Sequence, residues 1–137
     1  MARKVLLVDD DHFFQVSVAE FLSAQGYDVA VASSWVDFTS ACYSGTATPQ
    51  IILFDVDLGS TMSGDKLLAV FRSGRMNLPL AQRAKLVLFS SLPEPELAER
   101  AKASGADGYI HKSSFDVRSG TAFLAKLESF LASEKPF

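Results

Sequence analysis

The sequence predicts an α/β fold in which a doubly wound, five-stranded parallel sheet is covered by helices. Short strand-like runs rich in Val, Leu, Ile and Phe alternate with longer segments whose apolar residues recur at helical spacing. This alternation is typical of layers built on a parallel sheet. Several runs also end in polar residues, and in open parallel sheets the ligand site lies outside the carboxyl ends of the strands.

The first two strands and the helix between them are predicted before residue 33. Residues 4–9 form the first strand, and Asp11 is expected to cap a helix over about 12–25. One apolar face of that helix contains Phe14, Val18, Phe21 and Leu22. Gly26 is expected to end the helix, because a left-handed residue often follows a helix, and the second strand covers 27–32.

A second helix and a third strand follow. Ser34, with Asp37 three residues later, resembles the capping box of a helix start. One face of that predicted helix contains Trp35, Phe38 and Cys42. After a loop over 45–49, the apolar run of the third strand covers 50–55.

The third and fourth helices flank the fourth strand. A helix is predicted over about 64–73, with an inward face formed by Leu67, Leu68 and Phe71. The fourth strand covers 85–90, and Pro93 and Pro95 open the next helix, because proline is tolerated in a first turn. Gly105 is expected to end this helix.

The last strand and helix are predicted over 108–111 and about 117–133. The helix has apolar stripes, and Phe123 and Phe130 are candidates for an outward apolar interface. One of the apolar stripes could instead pack on the sheet. Five strands and five helices use the whole sequence. We therefore expect a single domain over residues 1–137, without an effector domain.

The composition favours a soluble, cytoplasmic protein. With 137 residues and 48% apolar side chains, one core can form without a disulfide or a structural metal. The formal net charge of −3 and the absence of a Lys and Arg cluster argue against nucleic acid as a partner. Cys42 is the single cysteine, which excludes an internal disulfide framework. Neither a secretory signal nor an apolar run of about 20 residues is present, so no membrane partner is expected.

Polar residues stand at the ends of four predicted strands. In chain order they are Asp9 and Asp10, Asp55, Ser90 and Ser91, and Lys112. Carboxylate oxygens are hard ligands that suit Mg²⁺, and a bound ion would offset the repulsion between clustered acids. The ion would also stabilise a transferring phosphoryl group. The ordered set predicts a Mg²⁺-dependent site in which the Asp55 carboxylate is the nucleophile and becomes an acyl phosphate.

Each residue also has a simpler interpretation when it is taken alone. The acids at 9–11 could form a solvated turn whose last member caps a helix, and Asp55 could be an ordinary loop acid. Ser90 could be a strand-end hydroxyl, Lys112 a surface lysine and Tyr109 part of the core. In the site, the serine would donate to a phosphoryl oxygen and the lysine would face the acceptor carboxylate as a fixed positive charge.

The chain resembles the receiver domain of two-component response regulators, the family of the chemotaxis response regulator, over essentially its whole length. The matching residues are an acid pair, a phosphoacceptor, a hydroxyl with a small residue after it, a lysine and an aromatic three residues before that lysine: Asp9, Asp10, Asp55, Ser90, Ser91, Lys112 and Tyr109. The resemblance implies a flavodoxin-like (βα)5 receiver fold. It also implies Mg²⁺ bound by the acids at 9, 10 and 55 and by the backbone carbonyl of Asp57.

The mechanism that the resemblance implies is phosphoryl transfer from a histidine kinase, or a phosphotransfer protein, to Asp55. Ser90 and Tyr109 would then act as switch residues that move toward the phosphoryl group. Their movement would alter the surface formed by the helix after strand four, the fifth strand and the last helix, where a downstream protein or a second copy would dock. Such a phosphoprotein acts in phosphorelay or signalling and is not an enzyme beyond slow autodephosphorylation.

Three features depart from the family pattern. The family usually has Pro four residues after the phosphoacceptor and Gly eight residues after it, whereas this chain has Gly59 and then Gly64, one position later. Ser113 replaces a proline with a cis bond, and we expect a trans bond because a non-proline cis bond costs about 2.5–4 kcal/mol. Asp57 adds a carboxylate that could strengthen metal binding, repel the phosphoryl group or change the placement of attacking water.

Three alternatives stand beside this interpretation. The run from Phe54 to Asp57 also resembles the nucleophile motif of haloacid-dehalogenase-type phosphatases, but their acid pair comes late in the chain and here it comes first. A phosphorylation-independent interaction module with the receiver fold is suggested by the altered loop and by Ser113. A flavodoxin-like cofactor binder would need a phosphate-cradling turn after strand one, where the three acids at 9–11 would repel a phosphate.

Overall fold

The computed structural model describes residues 3–34, 36–38, 49–58, 63–73, 84–116 and 118–132. The strands are β1 (Lys4–Val8), β2 (Asp28–Ala32), β3 (Ile51–Phe54), β4 (Lys85–Ser90) and β5 (Gly108–His111). The longer helices among the described residues are α1 (His12–Ala24), α2 (Gly64–Arg72), α3 (Glu94–Ser104) and α4 (Thr121–Ala132). None of the helices in these ranges is long and apolar enough to cross a membrane.

All five strands are parallel and lie in the order β2-β1-β3-β4-β5. The chain crosses from β1 outward to β2 and then returns past β1 to β3, so the direction of winding reverses between β1 and β3. Ligand sites of doubly wound folds lie at such a reversal, outside the carboxyl ends of the strands. The predicted α/β fold with a doubly wound, five-stranded sheet is therefore confirmed.

Alternation along the strands divides the core into two layers, one on each face of the sheet. In β1, Val5 and Leu7 belong to the layer that also contains residues of α1 and α4. Leu6 and Val8 belong to the other layer, with residues of α2 and α3. Successive strand side chains point to opposite faces, so a strand that is apolar at every position is covered by helices on both sides.

The helix starts and stops follow the local chemistry that the sequence predicts. The Asp11 side chain accepts a hydrogen bond of 2.9 Å from the Phe13 backbone N–H and caps α1. Gly26 has φ +92°, a left-handed conformation that suits glycine, just after α1. Gly105 ends α3 in the same way, with φ +82°.

The capping-box-like start predicted at Ser34 is present in its Ser34 half, and the return hydrogen bond of Asp37 goes one residue further back, to Ser33. Ser34 Oγ accepts a hydrogen bond of 3.2 Å from the Asp37 backbone N–H, and the Asp37 carboxylate accepts one from the Ser33 backbone N–H. Residues 36–38 are helical, and Phe38 is fully buried. The other residues predicted on this face, Trp35 and Cys42, lie outside the described residues, as do residues 45–48 of the predicted loop.

The last helix begins later than predicted, at Thr121 instead of about 117. Residues Lys112–Ser114 form a short 3-10 turn after β5. The Asp116 carboxylate then accepts a hydrogen bond of 2.9 Å from the Arg118 backbone N–H, and Asp116 forms an isolated bridge with Ser119. The contact of the Asp116 side chain competes with helix formation, as Asp side chains commonly do, and the backbone bridge to Ser119 keeps this segment out of the helix.

Of the two possibilities for Phe123 and Phe130, an outward interface or packing on the sheet, the structure contradicts the first and bears out the second. Phe123 is fully buried, and its ring packs against Phe89, with ring centroids 5.4 Å apart. Phe130 is half-buried and covers β5, because a Cβ atom added to Gly108 would lie 2.6 Å from its ring. Both phenylalanines therefore belong to the stripe of α4 that packs on the sheet.

Candidate functional site

A cavity of about 400 Å³ opens at the carboxyl ends of the central strands. Polar side chains dominate its wall: Asp10, Asp11, Asp55, Asp57, Ser90 and Lys112. The structure thus brings together residues that are far apart in the sequence but that all follow strands of one parallel sheet. Tyr109 does not line this cavity.

Strand register places Asp9 beside Asp55. Val8 pairs with Phe54 across β1 and β3, so the residues that follow them stand side by side. The Asp55 backbone N–H donates a 2.8 Å hydrogen bond to the Val8 carbonyl, which extends this register by one step. Asp9 is fully buried and Asp55 is 4% exposed. Two carboxylates therefore lie at the switch point of the sheet with little access to water.

Lys112 is the cation that joins these two carboxylates. Its Nζ lies 2.9 Å from Asp9 Oδ2 and 3.3 Å from Asp55 Oδ2, and the residue is only 6% exposed. Buried charges are stable only when they are paired, and this lysine has two partners of opposite charge. The short turn that begins at Lys112 carries the side chain in from the end of β5.

The environment of Asp55 shifts the equilibrium of its carboxyl group toward the neutral form, relative to an exposed aspartate. Burial, followed by repulsion from the Asp9 carboxylate, raises the pKa of Asp55 to about 7, although the Lys112 ammonium acts in the opposite direction. The pKa of Asp10 is also raised, first by burial and then by the charges of Asp57 and Asp9. These acids carry more negative charge than one lysine neutralises, so a divalent cation would relieve their repulsion.

The residues at this site fit a magnesium ion. Asp9, Asp10 and Asp55 each offer a carboxylate oxygen, and the three oxygens lie within 4.8 Å of one another. Asp9 Oδ2 is buried and has its ion pair with Lys112 but no hydrogen bond among the described residues. Oxygen donors of this kind suit Mg²⁺, which takes one or two carboxylates and keeps several waters. The backbone carbonyl of Asp57 stays a prediction as a further ligand.

The hydroxyl side of the cavity is formed at the end of β4. Ser90 is buried, and its Oγ accepts a hydrogen bond of 3.1 Å from the Leu92 backbone N–H. The hydroxyl hydrogen of Ser90 can therefore be donated to a group that enters the cavity. Ser91 also lines the cavity and is exposed.

The Tyr109 side chain is engaged outside the cavity. Its hydroxyl donates a hydrogen bond of 3.0 Å to Glu94 Oε1, at the first residue of α3. That hydrogen bond, which favours the neutral phenol, raises the pKa of Tyr109 above its ordinary value of 10.0. The predicted switch aromatic is thus linked to α3 and not to Asp55 in this structure.

Ser113 occupies the position of the family's proline and makes contacts that a proline could not. Its backbone N–H donates to His111 Nδ1 at 3.1 Å, and its Oγ lies 2.8 Å from the same nitrogen. No peptide bond within the described ranges is cis, as expected for the bond before Ser113. A hydrogen-bonded turn therefore supports Lys112 at this point.

Sequence reasoning missed two side chains that support the site. The sequence predicts Phe14 only on the apolar face of α1, but its ring centroid lies 4.4 Å from Lys112 Nζ. Gln15 donates through Nε2 to the backbone carbonyl of Asp9 and, at 2.9 Å, to Ser33 Oγ. Asp11 caps α1 just after β1, so the first turn of α1, with Phe14 and Gln15, lies next to the site. The short spacing from Asp9 was the available signal for this position, whereas the contact with Lys112 depends on the folded arrangement.

Comparison with known proteins points to one family. The family model of the response regulator receiver domain matches residues 5–122. The chemotaxis protein CheY of Treponema pallidum (strain Nichols) is 29% identical over 110 residues, which cover 80% of this chain and 72% of that protein.

Solved structures of similar proteins share the fold. Vibrio cholerae chemotaxis protein CheY4 superposes with a TM-score of 0.77 at 23% identity, covering 95% of this chain and 99% of that chain. A CheY-like receiver domain protein from Methanospirillum hungatei JF-1 gives a TM-score of 0.74 at 24% identity, covering 96% and 95%. These likenesses support the fold, and the family model covers most of the sequence. The chain therefore belongs to the response regulator receiver domain family.

Proposed function

We propose that this chain is a receiver that accepts a phosphoryl group on Asp55 from a histidine kinase or a phosphotransfer protein. The observation that carries the proposal is the arrangement around the Asp55 carboxylate: buried, 3.3 Å from Lys112 Nζ and clustered with Asp9 and Asp10. Family membership supports the same reaction class. Within the acid cluster of the described residues, Asp55 is the carboxylate that follows the central strand β3, and Lys112 contacts it.

The proposed step is a single displacement at phosphorus. A carboxylate oxygen of Asp55 forms the new O–P bond while the P–N bond of the donor phosphohistidine breaks, and the imidazole keeps the electron pair and takes up a proton from solvent. Mg²⁺, held by Asp9, Asp10, Asp55 and the carbonyl of Asp57, would supply charge stabilisation to the phosphoryl oxygens.

The chain's own residues would bind the product. The Lys112 ammonium, which now contacts two carboxylates, would contact an oxygen of the acyl phosphate. The Ser90 hydroxyl, at the wall of the same cavity, would donate to another oxygen. Both groups are held by β4 and β5, so phosphorylation would draw these two strand ends toward Asp55.

Output would pass through Tyr109 and α3. In this structure the Tyr109 hydroxyl is bonded to Glu94, so movement of the ring toward the phosphoryl group requires that bond to break. The surface of α3, β5 and α4 would change with it, and a downstream protein or a second copy of the chain would dock there. On this proposal residues 1–137 act as one cytoplasmic domain that signals by contact and is not an enzyme.

Phosphoryl uptake can be measured directly by intact mass after incubation with Mg²⁺ and acetyl phosphate. Wild type should gain the mass of one phosphoryl group, and Asp55→Asn should gain none. Omission of Mg²⁺ should abolish the gain in wild type, while Asp57→Asn should still be labelled because its carboxylate is not the acceptor. No label on wild type with acetyl phosphate or with a panel of histidine kinases would favour the phosphorylation-independent module.

A further inference from the structure

The Lys112 ammonium is enclosed by aromatic rings as well as by carboxylates. Its Nζ lies 4.4 Å from the centroid of the Phe14 ring and 5.6 Å from that of Phe89. Asp9 and Asp55 hold the same atom at 2.9 Å and 3.3 Å. The rings thus fill space around the ammonium that water would otherwise occupy, in keeping with its burial.

The Phe14 ring is itself held in place by other aromatic side chains. It meets Phe89 edge-on, with centroids 5.8 Å apart and an interplanar angle of 90°. On the helix it meets Phe13 in the same manner at 5.2 Å, and it lies 6.3 Å from Phe115, in the segment that follows the Lys112 turn. Rings in these orientations attract each other, so the position of Phe14 is set by several contacts at once.

Contact with a ring face matters here because the ammonium is desolvated. A cation within about 6 Å of a ring centroid is attracted by the negative face of the ring, and this attraction grows when water is excluded. Ion pairing alone would draw Lys112 toward Asp9, its nearer partner. An aromatic contact restricts the lysine side chain without competing with either carboxylate for a hydrogen bond.

We propose that Phe14, together with Phe89, is a positioning residue that holds Lys112 Nζ within reach of the phosphoryl group on Asp55. This inference rests on the proposed function. Phe14 does not touch the reacting atoms; it acts through the lysine. Replacement of its ring by an aliphatic side chain would leave the carboxylates intact but would free the ammonium to move and to recruit water.

The first test detects the contact between Lys112 and the aromatic rings by NMR chemical shifts, without phosphorylation. In wild type without Mg²⁺, the ε-methylene protons of Lys112 should resonate upfield of the other lysines, because they lie near ring faces. This shift should be lost in Phe14→Leu and kept in Phe14→Tyr. Lys112 resonances at ordinary positions in wild type would overturn the proposal, even if the leucine variant failed to fold.

The second test measures affinity for beryllofluoride, a phosphoryl mimic, in the presence of Mg²⁺. Phe14→Leu should bind it about threefold to tenfold more weakly, and Phe14→Tyr should restore binding. Mg²⁺ affinity without beryllofluoride should change less than twofold by the same reasoning. Phe21→Leu is the matched control: Phe21 lies on the same helix and also packs on Phe115, but it has no contact with Lys112 among the cation–ring pairs of the described residues.

The outcomes separate the two proposals. If Phe14→Leu binds beryllofluoride as tightly as wild type, or if Phe21→Leu weakens this binding equally, the positioning role of Phe14 is overturned. The phosphoacceptor proposal would still stand. Failure of wild type itself to bind beryllofluoride with Mg²⁺ would overturn the phosphoacceptor proposal, and the positioning role with it.

Discussion

Gly64, the first residue of α2, lies directly against the backbone of Asp55. A Cβ atom at Gly64 would lie 1.6 Å from the Asp55 carbonyl oxygen, a distance that excludes any side chain. The Gly64 backbone N–H also donates a 2.8 Å hydrogen bond to the Val56 carbonyl. The start of α2 is therefore held against the strand end that carries the Asp55 carboxylate. This glycine stands one position later than in the family pattern.

We expect Gly64→Ala to displace the backbone at Asp55 and to disturb the acid cluster. Overpacking of this kind costs about 1–3 kcal/mol of unfolding free energy, and Mg²⁺ affinity should fall with it. Urea unfolding and magnesium titration measure the two effects. Gly26→Ala is the matched control, because a Cβ there meets nothing within 4 Å and only its φ of +92° is strained. Equal Mg²⁺ affinity in the two variants would contradict the close contact between Gly64 and Asp55.

The pH dependence of stability should report the buried Asp55 carboxylate. Its pKa is raised by burial and by the Asp9 charge from 3.8 to about 7, so between these values the folded protein holds a proton that the unfolded chain releases. The contribution of Asp55 to the free energy of unfolding therefore falls as pH rises through this window. In a chelator, Asp55→Asn should become progressively more stable relative to wild type from about pH 4 to pH 7 and then level off. Parallel pH curves for the two proteins would show that this pKa is not raised.

Magnesium should stabilise the folded protein through the acid cluster. A ligand that binds only the folded state adds about 2.7 kcal/mol at one hundred times its Kd, so thermal or urea unfolding should depend on Mg²⁺ concentration. Asp10→Asn removes one of the three clustered carboxylates and should weaken this dependence. Asp28→Asn removes a charge at the start of β2, away from the cavity, and should leave the dependence of unfolding on Mg²⁺ concentration unchanged. An equal response of both variants would point to nonspecific ion binding.

The hydrogen bond between Tyr109 and Glu94 should be visible in a phenol titration. Since this bond raises the pKa of Tyr109, the difference spectrum between wild type and Tyr109→Phe should titrate above pH 10.0. Glu94→Gln keeps an oxygen acceptor but removes the charge, and should lower that pKa toward its ordinary value. If the phenol titrates identically with and without the Glu94 charge, the link from β5 to α3 does not exist in solution.

Much of the site could be predicted because the ends of the strands can be recognised in this sequence. The bounds of β4 and β5 match those predicted, and each is marked by a polar residue after an apolar run. The carboxyl ends of parallel strands lie at the same edge of the sheet, so the shared location of Asp9, Asp55, Ser90 and Lys112 could be predicted from their places at strand ends. Their chemical roles stay predictions until the reaction is measured.

Other features depend on through-space contacts that a linear pattern does not contain. Helical periodicity identified apolar stripes on α4 but could not decide that Phe123 faces the sheet, because both stripes have the same spacing. The start of α4 was displaced by hydrogen bonds of Asp116, which compete locally with the helix. Likewise, the ring of Phe14 meets Lys112 only after α1 and β5 have folded onto the same edge of the sheet.

The central claim is that Asp55, and none of its acidic neighbours, takes the phosphoryl group. Borohydride reduction of the acyl phosphate formed with Mg²⁺ and acetyl phosphate converts the modified carboxyl into an alcohol, which tandem mass spectrometry locates in the sequence. We predict the reduced residue at position 55 alone. Reduction at Asp9, Asp10 or Asp57, or a phosphate that resists borohydride and maps to Ser90, would contradict the assignment.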